Sequence, residues 1–360
     1  MSKARVALIY GGRSGEHEVS VASARSLVRA IDPDRYTVLP IKIDHEGSWL
    51  LSEPGSPAAT STQRVLPSAD PGRRGFVCLA TSGNPDGDFY EIDVAFPLVH
   101  GTYGEDGCLQ GLLEMAGIPY VGSGVLASAV SMDKIVMKSV FRAEGFPTPR
   151  WIAVDRTDAE TDPCLPERIA EEIGFPCFVK PSNLGSSVGI NKARDEDQLA
   201  DAIALAAQFS ARLIVEQGLE VREIECGVLG NHEPSASVVG EIIPARDFYD
   251  YEAKYHDQRT QFVIPASLPE AIASRVRDLA VRAFQAIGGA GMARVDFFLG
   301  RDDGAVYLNE INTIPGFTDM SVYPRLWNAS GVAYGQLIDR LISLAFERHA
   351  DQARNRTRYA

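Results

Sequence analysis

Ala293-Arg294-Val295-Asp296-Phe297-Phe298, the polar turn Arg301-Asp302-Asp303-Gly304, and Tyr307-Leu308-Asn309-Glu310-Ile311-Asn312 read together as one β-hairpin. Both arms are rich in aromatic and branched residues, and the turn between them has hairpin composition. A fold about residue 303 sets Asp296 opposite Glu310 and Arg294 opposite Asn312. Side chains alternate along a strand, so all four polar groups share one face. The ordinary reading of such a face is a solvated one with cross-strand ion pairs. Facing carboxylates are costly, however, unless a cation intervenes. Two carboxylates and an amide, all oxygen donors, beside one guanidinium suit a Mg²⁺–phosphate site. The following Thr313-Ile314-Pro315-Gly316-Phe317-Thr318 has no strand character and hangs a loop from that rigid pair.

Upstream, a strand ending in Phe178-Val179-Lys180-Pro181 enters the loop Ser182-Asn183-Leu184-Gly185-Ser186-Ser187-Val188-Gly189. Small residues let backbone N–H groups approach an anion, and Lys180 adds positive charge. No Lys-Ser/Thr follows the glycines, so this is not a Walker A loop, and alone it could be a plain turn. The opening loop Gly11-Gly12-Arg13-Ser14-Gly15 also departs from the dinucleotide fingerprint, and it delivers Glu16 to a helix start, where a carboxylate favours the dipole. Asp247-Phe248-Tyr249-Asp250-Tyr251-Glu252-Ala253-Lys254-Tyr255-His256 is dense in aromatic and charged residues without clean periodicity. It reads as an exposed packed loop or as a lid over a charged ligand. His100 at a strand end is ambiguous, since a lone histidine is more often structural.

The chain of 360 residues suggests two or three domains. Five scattered cysteines without Cys-x-x-Cys spacing read as reduced. A net charge of −13 argues against a nucleic-acid or anionic-membrane surface, though not against a small anion met by locally placed cations. The N-terminal apolar run is short and reads as a buried strand rather than a signal peptide, and no later stretch approaches a membrane span. A soluble cytoplasmic protein is expected.

Strands at 5–10, Tyr36–Ile43 and Val94–Val99 alternate with helices, the first at about Glu16–Ala30, which indicates a parallel sheet with ligand loops at one end. Residues 52–75, rich in Pro, Ser and Gly, read as a surface excursion rather than a folded unit. Met132-Asp133-Lys134 opens a helix, another follows at about 195–208, and Leu213-Ile214-Val215-Glu216 is a strand. The remainder is expected to be strand-rich to about 312. An amphipathic helix at about 333–347 closes the chain, with a polar frayed tail from Asp351.

Taken together, these segments resemble the D-alanine–D-alanine ligases, members of the ATP-grasp family, up to about residue 345. The matching motifs are Gly-Glu-His-Glu-Val-Ser (15–20), His-Gly-Thr-Tyr-Gly-Glu-Asp-Gly (100–107), Ser-Met-Asp-Lys (131–134) and the Val179–Gly189 loop. Tyr-Asp-Tyr-Glu-Ala-Lys-Tyr (249–255), Arg-Val-Asp (294–296) and Asn-Glu-Ile-Asn-Thr-Ile-Pro-Gly-Phe-Thr (309–318) continue the series. Their order and spacing carry the resemblance.

The resemblance implies an α/β chain with the three-domain ATP-grasp fold. A substrate-binding parallel-sheet domain (1–130) precedes two α+β domains (131–222 and 223–350) that sandwich ATP, with 351–360 as a flexible tail. It implies an acylphosphate made from one D-alanine and ATP, attack by the amine of a second D-alanine, and release of ADP and phosphate, for peptidoglycan precursor synthesis. Lys134 and Lys180 would meet the phosphates, with Ser186, Ser187, Lys254 and Asn309 also at the nucleotide. Glu216, Gln217 and the backbone through Leu219 would meet adenine, Glu223 the ribose, and Phe248 and Phe298 would wall the purine. Asp296, Glu310 and Asn312 would hold two Mg²⁺, for which Mn²⁺ could substitute. Arg294, with the backbone near Gly316, would stabilise the oxyanion. Ser321 and Lys254 would bind the second substrate's carboxylate, Glu16 the first substrate's ammonium, and His100 would lie at the substrate. Glu16, Ser186 and Tyr255 would form a network joining the domains, with the proton acceptor left open between Tyr255 and Ser186. The family habit is a homodimer. The nearest alternative is a D-alanine–D-lactate ligase, where a histidine takes over near the Tyr255 position. Here Lys254-Tyr255 is intact, although His256 follows, which favours an amine acceptor. Another ATP-grasp carboxylate–amine ligase is the next alternative. A silent nucleotide-binding protein is disfavoured by the intact Arg294, Asp296, Glu310 and Asn312.

Overall fold

Strand Ala4–Gly11 organises the N-terminal third, and its run Val6–Tyr10 is fully buried, as suits a strand covered on both faces. It pairs in parallel with Tyr36–Ile43 on one side and Val94–Pro97 on the other, with Trp49–Leu51 antiparallel at the edge. This is a computed structural model, and it describes residues 3–52, 63–79, 88–185, 189–244 and 260–356. The turn after the first strand needs glycine. Gly11 has φ +89°, and a Cβ there would lie 2.2 Å from the Ile43 carbonyl oxygen. Helix His17–Ala30 then packs back through Val21, Ala24 and Leu27. The loops carrying Glu16 and His100 thus leave the same end of the sheet.

Part of the 52–75 segment is folded, contrary to the reading as a surface excursion. Val65–Pro67, Gly75–Cys78 and Phe89–Glu91 form a three-stranded antiparallel sheet, with Val65 and Phe76 fully buried. The apolar alternation of these short strands was hidden by the surrounding turn residues. Residues 53–62 lie outside the described residues.

The central segment holds an antiparallel sheet in the order Asn191–Ala193, Cys177–Pro181, Arg212–Gln217, Trp151–Asp155. Helices Leu165–Ile173 and Glu196–Ala206 cover it. Helix Lys134–Ala143 leads in. Its N-cap is Asp133, whose Oδ1 accepts from the backbone N–H groups of Ile135 and Val136, both at 3.0 Å.

The C-terminal segment is a five-stranded antiparallel sheet in the order Gln261–Val263, Ser235–Ile243, Val221–Gly230, Gly291–Gly300, Val306–Asn312. Its third strand already begins at Val221, just ahead of the expected boundary at 222/223. Within the stretch expected to be strand-rich lies a helix of 17 residues, Glu270–Ala286, which buries Val276, Leu279, Ala280, Ala283 and Phe284 at helical spacing against the sheet. The last helix runs from Tyr334 to Gln352, beyond its expected end, because no breaker interrupts it.

The apolar side chains gather in separate cores. One joins the N-terminal sheet and its first helix to the last helix, bringing Leu8, Tyr10 and Leu27 together with Phe317, Tyr323, Leu337 and Leu341. A second lies under the C-terminal sheet and also takes Met137 and Phe141 of the Lys134 helix. The central sheet has its own, built from Val154, Ile169, Val179, Leu199 and Val215 among others. First and last segments are therefore one packed body. Leu341 is fully buried at that joint, so Leu341→Ala is expected to cost about 2–5 kcal/mol of stability. Urea unfolding would check this, and a loss under about 1 kcal/mol would contradict the joint.

Candidate functional site

The hairpin forms between Gly291–Gly300 and Val306–Asn312, with Arg294 opposite Asn312 and Asp296 opposite Glu310, as the alternation argument requires. Beyond Asp296 the register slips, so that Phe297 pairs with Leu308 and Asn309 is the extra residue of a bulge. The bulge lets the neighbours Asn309 and Glu310 both reach the same cleft. On the other side, Glu225 lies opposite Asp296. Three carboxylates, Glu225, Asp296 and Glu310, therefore stand in one row across three strands. Arg294 answers them in part. Its Nε and Nη2 donate to the two Asp296 oxygens at 2.7 Å each, and its Nε lies 3.2 Å from Glu225 Oε2. Asn312 Nδ2 donates to Asp296 Oδ2 at 3.0 Å. Burial alone would lower the Arg294 pKa, but the surrounding carboxylates raise it well above its ordinary value, so it stays charged. Asp296, Glu310 and the Asn312 amide are hard oxygen donors of the kind a divalent cation takes.

The facing wall comes from the central sheet and the Lys134 helix. Phe178 pairs with Glu216 and Lys180 with Ile214, which sets Lys180 diagonal to Glu216 on one face. Lys180 Nζ donates to Glu216 Oε2, and Lys138 Nζ lies 2.7 Å from Glu216 Oε1. Lys134 Nζ donates to the Leu184 carbonyl oxygen at 2.6 Å, at the mouth of the small-residue loop. Lys134 and Lys180 thus line the wall opposite the three carboxylates, and Lys138 stands behind Glu216.

Glu16 is the N-cap of helix His17–Ala30, without a capping hydrogen bond from its side chain. Its carboxylate sits where a Cβ on Gly101 would come within 2.8 Å and one on Gly185 within 3.4 Å, between loops of the first and second segments. His100 is buried with both ring nitrogens engaged, Nδ1 at 3.0 Å from the Ile314 carbonyl oxygen and Nε2 at 3.3 Å from Ser23 Oγ. Burial lowers its pKa despite Glu16, which suits a neutral ring. It lines the cleft and also ties the first segment to the loop that follows the hairpin. In that loop Ser321 Oγ accepts from Thr318 N–H at 3.0 Å and would lie 3.2 Å from a Cβ on Gly316.

Apart from Lys138, the charged groups described above line one cleft of about 1160 Å³. The structure brings together Glu16, His100, Lys134, Lys180, Glu216, Gln217, Leu219 and Glu223. Arg294, Asp296, Phe298, Asn309, Glu310, Asn312, Gly316 and Ser321 complete the set. Ser186, Ser187, Phe248, Lys254 and Tyr255 lie outside the described residues. Lys138, Glu225 and Glu105 were missed. Lys138 had a signal, since it sits four residues after Lys134 on one helix face. Glu225 had none, because its place depends on which strand flanks the hairpin. Glu105 belongs to the His100 motif, and its Oε2 accepts from Gly101 N–H at 2.6 Å.

Both halves of the chain match models of one family, described as D-ala D-ala ligase N-terminus over residues 5–123 and D-ala D-ala ligase C-terminus over residues 140–343. A D-alanine–D-alanine ligase of Thermoanaerobacter sp. (strain X514) is 45% identical over 359 residues, covering 98% of this chain and 99% of that protein. The solved D-alanine–D-alanine ligase of Coxiella burnetii superposes with a TM-score of 0.86 at 36% identity, over 98% of this chain and 97% of its own. The D-Ala:D-Ser ligase VanG of Enterococcus faecalis superposes with a TM-score of 0.85 at 32% identity, over 96% of this chain and 100% of its own.

The Glu105 carboxyl is pushed up to about 8, first by burial and then by the Glu16 carboxylate. Its ordinary value is 4.5, so unfolding at neutral pH releases a proton, and the group withdraws stability as pH rises from about 4.5 to about 8. The stability of Glu105→Gln relative to the unsubstituted protein is expected to grow across that window and level off above it. Urea unfolding at a series of pH values checks this, and a flat difference would contradict it.

Proposed function

We propose that this chain, which belongs to the D-alanine–D-alanine ligase family, joins two molecules of D-alanine at the expense of ATP and supplies the dipeptide for peptidoglycan precursors. The observation that carries this reading is the opposition of the two charged walls across one cleft. The carboxylate row of Glu225, Asp296 and Glu310 faces Lys134 and Lys180. A polyphosphate and its metal fit between such walls, with the anion at the lysines and the cation at the carboxylates. At one end the Glu16 carboxylate meets the glycine loops, as an ammonium-bearing acid requires.

The reaction would begin when the carboxylate of the first D-alanine attacks the γ-phosphorus of ATP, giving D-alanyl phosphate and ADP. The neutral amine of the second D-alanine then attacks the acyl carbon and phosphate leaves. Glu16 would hold the first ammonium, which orients the attacking carboxylate in line. Lys134 and Lys180 would neutralise phosphate oxygens, and Arg294 with the Gly316 backbone would meet the tetrahedral oxyanion. Ser321 would take the second carboxylate, together with Lys254, and Tyr255 or Ser186 would accept the amine proton. Asp296, Glu310 and Asn312 would hold Mg²⁺, with two ions expected and Mn²⁺ able to substitute. Bound there, the metal would neutralise charge on the transferring phosphoryl group. Glu216, Gln217 and Leu219 would take the adenine, Phe298 and Phe248 its faces and Glu223 the ribose, with Asn309, Ser186 and Ser187 nearby. Residues 1–130 would act as the first-substrate unit and 131–222 and 223–350 as the two that enclose ATP. No described helix is long and apolar enough to cross a membrane, which agrees with a cytoplasmic enzyme.

Phosphate release is expected only when D-alanine, ATP and Mg²⁺ are all present. With D-alanine and D-lactate supplied together at neutral pH, product analysis should give mainly the dipeptide, and a depsipeptide majority would overturn the acceptor assignment. Glu310→Gln should keep its unfolding midpoint and lose at least about 100-fold in Mg²⁺-dependent turnover. Retained turnover would remove Glu310 from the metal site.

A further inference from the structure

Lys138 is the least expected group in the cleft region. Its side chain is 1% exposed, and it stands behind Glu216 rather than on the cleft wall. The helix that carries it is anchored from below, because Met137 and Phe141 are buried in the core of the C-terminal sheet. The Glu216 side chain, 3% exposed, sits on the central sheet with one oxygen toward Lys138 and the other toward Lys180. A fully buried lysine is rare unless paired. This one spends its ammonium on a carboxylate that already has a cationic partner.

We propose that Lys138 is a positioning residue that fixes Glu216 as an acceptor-only group and thereby selects a purine with an exocyclic amino group over one with a carbonyl at the same position. The argument is one of polarity. A carboxylate hydrogen-bonded through Oε2 to Lys180 and ion-paired through Oε1 to Lys138 at 2.7 Å is restrained from turning, and it presents only lone pairs to the cleft. An N–H of the base then finds an acceptor. A base carbonyl would meet lone pairs with lone pairs and leave buried polar atoms unsatisfied, which is where large discrimination arises. Burial alone would raise the Glu216 carboxyl, and Lys138 with Lys180 outweigh it, holding it down at about 2. Without Lys138, Oε1 loses its anchor and Glu216 is held by Lys180 alone, so the carboxylate can turn. The inference rests on the reading that Glu216 faces the nucleobase.

The test compares kcat/KM for ATP and for inosine triphosphate, whose base carries a carbonyl at the amino position, using phosphate release with saturating D-alanine. Lys138→Met is expected to lower the ATP preference at least about tenfold. The change should fall on KM for ATP, with kcat within a few-fold of the unsubstituted enzyme. Lys138→Arg, which keeps the charge, should recover most of the preference. Glu216→Gln should lose it as well. If Glu216→Gln loses the preference and Lys138→Met keeps it, the positioning role is overturned while the base-facing reading of Glu216 stands. If both keep it, that reading falls too. Should Lys138→Met fail to fold, as judged by thermal unfolding, Lys138→Gln is read by the same criteria.

Discussion

Three carboxylates side by side on neighbouring strands form a constraint that the rest of the cleft answers. Glu225, Asp296 and Glu310 occupy one row, at spacings where like charges repel unless cations intervene. Arg294, one pair along the same strand, supplies a guanidinium that reaches both Asp296 and Glu225. Lys180 acts on Glu310 from the opposite wall. A metal escorted by a polyphosphate would bring further positive charge to the row together with its own anion.

That anion needs a counterpart, and the opposite wall provides it from a different part of the chain. Lys134 comes from a helix and Lys180 from the adjoining sheet, so the positive side depends on a joint between elements rather than on a contiguous motif. Glu216 ties Lys180 to Lys138, which stands behind it. Paired buried charges of this kind contribute little net stability compared with an apolar replacement. Their value lies in orientation, since each group is held in one place before any ligand arrives.

The legible and illegible parts of the site separate along the same physical line. Arg294, Asp296, Glu310 and Asn312 could be read from alternation and a short turn, both properties of adjacent residues. The bulge at Asn309 could not, because an extra residue in a strand is decided by what packs on either side. Helix Glu270–Ala286 carries a clear helical spacing of apolar residues, yet its place between strands made the segment look uniformly extended. The small sheet around Phe76 was hidden for the opposite reason, since turn residues outnumber its short strands. Lys180 could be read from its place beside the small-residue loop, whereas Lys134 and the role of Glu16 were reached through the resemblance of ordered motifs. Glu225 and the partner of Lys138 depend on contacts between distant segments and leave no local trace.

The division of the apolar side chains has a consequence for how the cleft works. The central sheet keeps a core of its own, while the first and last segments share theirs. The surfaces that meet across the cleft mix charged groups with apolar ones, Phe178 and Phe298 among them, and the Lys134 helix is packed into the core of the C-terminal sheet. Parting the central sheet from the C-terminal sheet would therefore leave each core closed and uncover only the mixed lining of the cleft. The heat-capacity change that accompanies exposure of apolar surface would be correspondingly modest for that movement.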